Sequence, residues 1–376
     1  MVDSLGKAGY HVETSDKPVL SIVETSNPEL LILDLGTEND NRLDFISKVL
    51  AANPELPILV MAQLDTEELT VKALEMGITD YLLMLKPLNV KRLLFFIASN
   101  LKRAAMANEN RKYSIKLEAA NIELKASLKE IRMDQQAGLL VQQKMLPENP
   151  HTLLGCELEH LIMPANYLSG DFVDYHQISN DKLVFFLLDV TGHGASSAFV
   201  TVLIKQLATR SRKHFVQDQR HQIHSAAWIL NWMNHSILDI HIDHHLTIFL
   251  GVLNRKTNLL NYSYGGHFPK AIFSSKKGTR FLQGKGMPVG LFENAEYENY
   301  YLDLPDEFGI TLFSDGILEV MPQESLAEKE KCLLKTVSGG NSIEHISRQF
   351  KLNEISNTLD DISILTVNCS EPYEHG

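Results

Sequence analysis

The sequence predicts a mixed α/β chain in three parts, and three observations carry that reading. Short apolar runs alternate with amphipathic stretches over residues 1–100, a proline-free and almost glycine-free stretch follows, and residues 147–370 hold closely spaced strands joined by tight turns. The expected architecture is therefore a parallel α/β unit (1–100), a helical connector (101–146), and a sandwich of antiparallel sheets flanked by helices (147–370). A length of 376 residues exceeds one compact core, and 44% hydrophobic with 22% charged residues is ordinary globular composition.

In the first part, Leu30 to Leu35 reads as a buried strand, Leu43 to Ala52 as a helix and Pro57 to Ala62 as a second strand. A helix ending at Met76 and a strand over Tyr81 to Leu85 follow. Strands separated by helices imply a parallel sheet covered on both faces.

Residues 88–145 contain no proline and only Gly138 among the glycines, which predicts one long helix. Leu117, Leu124 and Ile131 are spaced by seven, with Leu128 in the intervening row, a heptad fragment that predicts a parallel homodimer through this helix. Asn121 and Gln135 interrupt the alternate row and weaken the seam. Lys102, Arg103, Arg111, Lys112 and Lys116 are interleaved with Glu109 and Glu118, as on a solvated face.

Pro147 and Pro150 close the helix and open the third part. Apolar runs at 183–190, 247–253, 259–264, 309–313 and 362–367 read as strands, and stretches at 195–210 and 223–240 as helices. The segment Leu253 to Asn258 reads as a hairpin turn.

Charge and composition exclude several roles. Net charge is −12, with 47 acidic against 35 basic side chains, which argues against binding nucleic acid through its phosphates. No window is long and apolar enough to span a membrane and no signal-peptide layout opens the chain, so the expectation is a cytoplasmic protein without a membrane partner. Cys156, Cys332 and Cys369 are far apart and follow no metal or redox spacing, so they are expected to be reduced structural thiols. The seven histidines between His214 and His245 include triplet spacings suited to zinc, but mixed polar neighbours favour a solvated surface. Trp228 and Trp232, one helical turn apart, read as core or interface residues.

The chemistry is concentrated in four aspartate motifs. These are Ser169-Gly170-Asp171-Phe172-Val173-Asp174, Leu188-Asp189-Val190-Thr191-Gly192-His193-Gly194, Phe313-Ser314-Asp315-Gly316 and Thr358-Leu359-Asp360-Asp361-Ile362. Each places a carboxylate at a strand end or beside a glycine. Acids gathered into one cleft repel one another, and divalent cations relieve that repulsion. Hard oxygen donors select Mg2+ or Mn2+, and glycine lets backbone and water crowd close to an ion.

Together the four motifs resemble the PP2C phosphatases in their bacterial SpoIIE or RsbU-like branch. Gln142 to Pro147, Gly265 to Pro269, Gly286 to Leu291 and Asp360 to Leu365 follow in the family's order, and that order makes the resemblance specific. It implies a two-metal serine/threonine phosphatase in which Asp189 bridges two Mn2+ or Mg2+ ions and activates a water. The Val190 carbonyl and Asp171 would hold one ion, Asp315 and Asp360 the other. Asp174, Asp361, Gly192 and Gly316 would support the ligands, and His193 and His267 would be structural neighbours. The implied substrate is a phosphorylated STAS-domain anti-sigma-factor antagonist, in partner-switching signalling. The alternative is a non-catalytic response-regulator adaptor that binds a sigma factor or anti-sigma factor.

The first part resembles a response-regulator receiver domain. Pro28 to Asp34 is similar to the strand that ends in the phospho-acceptor, and Ala73 to Leu82 followed by Lys86-Pro87 is similar to the later helix, strand and switch lysine. The resemblance implies that Asp34 accepts phosphate from an upstream histidine kinase and that Lys86 contacts it. The receiver's first strand and acidic pair have no counterpart, Ala62 replaces the usual hydroxyl residue, and Met84 and Leu85 are extra. The expectation is a truncated or degenerate receiver without an evident Mg2+ site.

Overall fold

The computed structural model describes all residues except 37–40, 64–66, 85–88, 193, 218–224, 356–357 and 371–376, and omits the side chains of 210–217. The chain divides into two compact units, Met1–Ser127 and Leu128–Gly376.

In the first unit, α1 (Val2–Lys7) and α2 (Leu20–Ser26) precede β1 (Leu31–Asp34), α3 (Asn41–Ala52), β2 (Ile58–Ala62), α4 (Glu67–Glu75), β3 (Asp80–Leu83) and the start of α5 (Val90–Met145). The strands form the expected parallel sheet in the order β1-β2-β3. Strand β2 is buried along its whole length, as its continuous apolar sequence requires in the middle of a covered sheet. Phe45, Ile46 and Val49 of α3 pack on one face, Leu5 of α1 with Leu93 and Ile97 of α5 on the other. The sheet has three strands among the described residues.

Helix α5 is a single helix of 56 residues, and Leu117, Leu124, Leu128 and Ile131 are exposed along it. Among the described residues, nothing covers the heptad row.

The second unit is a four-layer sandwich. Its strands are β4 (His151–Leu153), β5 (Cys156–Met163), β6 (Asp171–Gln177), β7 (Lys182–Val190), β8 (Leu246–Asn254), β9 (Leu259–Gly265), β10 (Ile272–Ser275), β11 (Gly278–Phe281), β12 (Tyr300–Asp303), β13 (Phe308–Phe313) and β14 (Ile362–Cys369). Its helices are α6 (Ala195–Gln217), α7 (Ala226–Ile240), α8 (Leu326–Gly339) and α9 (Ile343–Gln349). One sheet has the order β12-β9-β8-β7-β6, the other β11-β10-β13-β14-β5-β4.

Alternation along the strands divides the core. Leu183, Phe185 and Leu187 of β7 meet Ile310 and Leu312 of β13 between the sheets, whereas Val184, Phe186 and Leu188 lie under α6 and α7. Phe313 and Ile364 lie on the opposite outer face, against α8 and α9. Both faces of β7 are thus covered, which is why its sequence is almost unbroken apolar until Asp189.

The sandwich is tied at one end. Arg255, in the turn between β8 and β9, is fully buried and donates from Nε to the Leu154 carbonyl in the turn between β4 and β5, at 3.2 Å. Near that end Cys156 and Cys369 form a disulfide, which corrects the expectation of reduced thiols. The two cysteines are 213 residues apart in sequence, but antiparallel pairing of β5 with β14 sets them directly opposite one another. Spacing along a chain carries no record of a long-range register. Cys332 is free. The aspartate motifs occupy the other end.

Candidate metal centre

The hairpin between β6 and β7 sets Asp171 opposite Asp189, at the end of the five-stranded sheet. From the other sheet, β13 runs out at Phe313 into Ser314 and Asp315, while Asp360 and Asp361 lead into β14. Ser314 N donates to the Ser363 carbonyl and Ser363 N to Ser314 Oγ, so the two exits are bonded side by side. Gly316 is obligatory there, because a Cβ would run into the Asp361 carbonyl.

The acids at these strand ends act on one another through their charge. Burial pushes the Asp171 carboxyl well above the usual carboxylate range, and the charges of Asp189 and Asp361 push it further. The Ser363 and Ser314 hydroxyls offset part of that rise, yet Asp171 Oδ2 is buried with no hydrogen-bond partner. Asp189 is pushed up to about 7 by burial and then by Asp315, Asp360 and Asp361. Asp315 is raised by burial and by Asp360. Asp171 is buried, Asp189 and Asp360 are half-buried, and Asp315 is exposed.

Gly170 is the hub of the cleft. Its N–H donates to Asp361 Oδ2 at 2.6 Å, and the Ala165 N–H donates to Asp361 Oδ1 at 2.7 Å. A Cβ on Gly170 would lie 2.9 Å from the Val190 carbonyl oxygen and 3.0 Å from that of Gly192. Only glycine lets those two carbonyls crowd the backbone beside Asp171. Gly192 has φ +88°, the left-handed conformation that turns the chain out of β7 toward α6.

The remaining predicted residues separate clearly. Asp361 spends both oxygens on backbone N–H groups, and Asp174 is buried in an ion pair with Lys205, 2.8 Å away. His267 is buried with neither ring nitrogen bonded, its pKa driven down to about 3 by desolvation, so it stays neutral. Of the histidines and tryptophans in the α7 region, His235 and Trp228 are exposed and Trp232 packs on the core. His193, His221, His224, Lys86 and Pro87 lie outside the described residues. Asp34 ends β1 exposed, accepts from Gly36 N at 2.9 Å, and gives its carbonyl to Arg42.

The roles of four contributors escaped the sequence reading. Lys205 has no motif around it. Ser314 and Ser363 stand within the aspartate-bearing segments Phe313 to Gly316 and Asp360 to Leu365, which is their only signal. Gln142 was visible only as part of an entry motif. It is buried, donating from Nε2 to the Ser169 carbonyl at 2.7 Å and to Thr201 Oγ1 at 3.2 Å, while its Oε1 accepts from Ser169 N.

The residues fit divalent cations chemically. An unpartnered buried carboxylate oxygen, the acids Asp189, Asp315 and Asp360, and a glycine-made opening onto two carbonyls form a hard-oxygen donor set. Among the described residues, no three His, Cys, Asp or Glu side chains converge closely enough to hold an ion as they stand. The acids act on one another across the cleft without forming a closed shell, as mutually repelling carboxylates do.

Residues 179–370, just over half of the chain, match the family model "Stage II sporulation protein E (SpoIIE)". The chain belongs to the SpoIIE family. That match includes Asp189, Asp315, Asp360 and Asp361, and residues 1–98 match the response regulator receiver domain. The chain is 26% identical over 162 residues to phosphoserine phosphatase RsbP of Bacillus subtilis, covering 41% of this chain and 38% of that protein. It is 23% identical over 210 residues to phosphoserine phosphatase RsbU of the same organism, covering 55% and 59%. The chain thus spans less than two thirds of either relative. The SiaA PP2C domain of Pseudomonas aeruginosa shares the fold of the second unit, with a TM-score of 0.54, 18% identity, and coverage of 64% of this chain and 97% of that one. No helix among the described residues is long and apolar enough to cross a membrane.

Proposed function

We propose that this SpoIIE-family chain is a cytoplasmic, Mn2+- or Mg2+-dependent protein serine/threonine phosphatase that acts on a phosphorylated STAS-domain protein in partner-switching signalling. The observation that carries the reading is that Asp171 faces Asp189 at the end of one sheet while Asp315, Asp360 and Asp361 flank paired strand ends of the other, and that burial and neighbouring carboxylates raise Asp171, Asp189 and Asp315. A cluster of acids that raises its own pKa values is costly to keep unless cations use it.

Asp171 and the Val190 carbonyl would hold one ion, Asp315 and Asp360 the other, with Asp189 shared between them. When bound, the ions supply positive charge that lowers the pKa of a water and offsets the phosphoryl oxygens. The chain does the positioning. Asp361 fixes the 165–170 loop through two backbone N–H groups and so sets where Asp171 stands. Gly170 keeps the Val190 and Gly192 carbonyl oxygens free of a side chain, and the Ser314 hydroxyl donates to the Asp361 carbonyl and so fixes the strand exits beside Asp171. No protein nucleophile is needed, since water is the attacking group.

The first unit and α5 would form the control arm, a homodimer through the exposed heptad row responding to an upstream histidine kinase. Gln142 would link that arm to the cleft, because it bonds both Ser169, two residues before Asp171, and Thr201 of α6. Charge substitution at Leu117 and Leu124 should turn a dimer into a monomer in sedimentation.

Hydrolysis of p-nitrophenyl phosphate with and without Mn2+ tests the chemistry, and loss of phosphate from a phosphorylated STAS-domain protein tests the substrate. Turnover that needs Mn2+ and vanishes in Asp189→Asn is the expected result. A folded chain that binds Mn2+ yet hydrolyses neither compound would leave the adaptor reading in its place.

A further inference from the structure

One side of the second unit is open in both sheets, because β6 is the last strand of one and β4 the last strand of the other. A pocket of about 500 Å³ lies there, a volume in which small molecules bind. Its walls are residues 174–177 of β6, one face of α6 made by Lys205, Ala208 and Thr209, and the chain at Pro147, His151 and Leu153. Asp174, three residues along β6 from Asp171, is the member of the aspartate motifs that reaches it.

The carboxylate and the lysine in this wall cancel. Asp174 is 5% exposed, and its Oδ1 accepts from Lys205 Nζ at 2.8 Å and from the Tyr175 N–H at 3.1 Å. Lys205 spends one of the three N–H bonds of an ammonium on that contact, which leaves two for a ligand. His151 and His176 line the same pocket, and an imidazole adds either no charge or a positive one. In a chain of net charge −12 this wall is therefore neutral or positive, and an anion is what it attracts. A buried ion pair adds little stability by itself. Set in a pocket wall with N–H bonds to spare, it is suited to hold an oxyanion by charge-assisted hydrogen bonds.

The open edge of β6 supplies further polar groups. The Ile178 N–H donates to the Lys182 carbonyl and the Val190 N–H to the Gly170 carbonyl, so the even-numbered residues of β6 bond to β7. Tyr175 and Gln177 therefore turn their backbone groups outward, and the Tyr175 N–H accordingly goes to Asp174. Outward carbonyls accept from hydroxyl groups, and Pro147, Leu153 and Ala208 add apolar wall. A bare inorganic anion would fill little of this volume.

We propose that the pocket binds a small organic oxyanion, a phosphate or carboxylate carried on a hydroxylated carbon skeleton, with Lys205 as its anchor. The site is built without the metal ligands and stands apart from the phosphatase reading. A ligand there ties α6 to the edge of β6.

The test titrates the full chain, in EDTA, with ribose 5-phosphate, gluconate and ribose, followed by ligand NMR. Without cations the aspartates repel anions, so anion binding reports the pocket. One of the two anions should bind about tenfold more tightly than ribose, the scale of one charge-assisted hydrogen bond, and which one it is names the head group. Lys205→Met should bring its affinity down to that of ribose. Because that variant leaves Asp174 without its lysine, Thr209→Glu is the second one. It keeps the ion pair, sets a negative charge in the wall, and should weaken the anion by a similar factor with the denaturation midpoint unchanged. Lys276→Met, at an exposed lysine paired with Glu307, should leave binding as it is. Equal affinity for ribose and both anions overturns the proposal, as does undiminished anion binding in Lys205→Met or Thr209→Glu. Tighter anion binding in Asp189→Asn would place the anion among the aspartates and overturn it as well. No turnover is measured, so the outcome does not depend on whether the chain is a phosphatase.

Discussion

Asp34 and Asp171 are both aspartates at strand ends that resemble an acid of known chemical use, and the structure treats them in opposite ways. Asp34 is exposed, with Oδ1 occupied by the Gly36 N–H two residues on. Its surroundings are those of a solvated turn carboxylate. Asp171 is 1% exposed, faces Asp189 across a strand pair, and keeps one oxygen without a partner. Burying an acid among acids has no structural advantage, so the second environment points to chemistry in a way that the first does not. The difference arises from topology. The second unit brings the ends of two sheets together, whereas among the described residues β1 pairs only with β2 and its last residue, Asp34, is exposed.

The largest expected effect breaks this comparison if it is wrong. Asp171→Asn and Asp189→Asn should each lower Mn2+-dependent p-nitrophenyl phosphate turnover by about a hundredfold or more, the loss typical when charge stabilisation of a transition state is removed. Asp34→Asn should leave that turnover unchanged. If Asp34 mattered to the basal rate as much as Asp189, the contrast between a solvated and a functional acid would fail.

Next in size is Gly170→Ala. The added Cβ would sit 2.9 Å and 3.0 Å from two carbonyl oxygens, one of them the Val190 oxygen proposed as a ligand. Backbone must move to admit it, at a cost of about 1–3 kcal/mol. Thermal denaturation should show that loss, and Mn2+ affinity from a calorimetric titration should fall with it. Gly6→Ala, at a glycine with nothing within 4 Å, is the matched control and should be near neutral.

How much of this was legible in the sequence depends on which interactions are local. The strands of both units follow from apolar runs ended by acids or glycines, and α5 follows from an absence of breakers. Asp189 was visible because Leu183 to Leu188 is buried on both faces and the run stops at a charge. The partner relationships were not visible. Asp174 and Asp171 look alike in Ser169-Gly170-Asp171-Phe172-Val173-Asp174, and only the helix above β6 distinguishes them, by offering Lys205 to one. Asp360 and Asp361 are neighbours, yet Asp360 accepts from the Asp361 N–H at 2.8 Å and Asp361 spends both oxygens on the 165–170 loop. The cysteine pair failed for the same reason, since its register is fixed by strands 213 residues apart. Long-range pairing sorts like residues into unlike roles, and no window of sequence contains it.

The pH dependence of stability in cation-free protein sharpens the comparison further. Asp189 is raised to about 7 in the folded state against 3.8 in the unfolded chain, so folded protein binds more protons between those values. Its contribution is favourable below 3.8 and is lost as pH rises through about 7. Asp189→Asn removes that penalty. Without cations the variant should therefore be the more stable protein at pH 8, by denaturant midpoint, and its advantage should shrink as pH falls below 7. His160 and His267, depressed to about 4 and about 3 by burial, lose stability as pH falls from about 6.5. They do so equally in both proteins and cancel in the difference. Adding Mn2+ should reverse the order at pH 8, because the acids then have cations to hold.

The smallest effect expected is at Gln142. Gln142→Ala leaves the Ser169 carbonyl and N–H and the Thr201 hydroxyl without this partner, a loss of about 1–3 kcal/mol for buried groups. A merely structural glutamine would lower the denaturation midpoint and nothing else. A glutamine that couples α5 to the cleft would in addition weaken Mn2+ binding, because Ser169 and Asp171 are joined by the Asp171 N–H to Ser169 Oγ bond of 3.0 Å. Measuring the Mn2+ dependence of p-nitrophenyl phosphate turnover separates the two. A midpoint that falls while the Mn2+ concentration for half-maximal rate stays fixed would confine Gln142 to packing, and α5 would then have no hydrogen-bonded route to the acids through it.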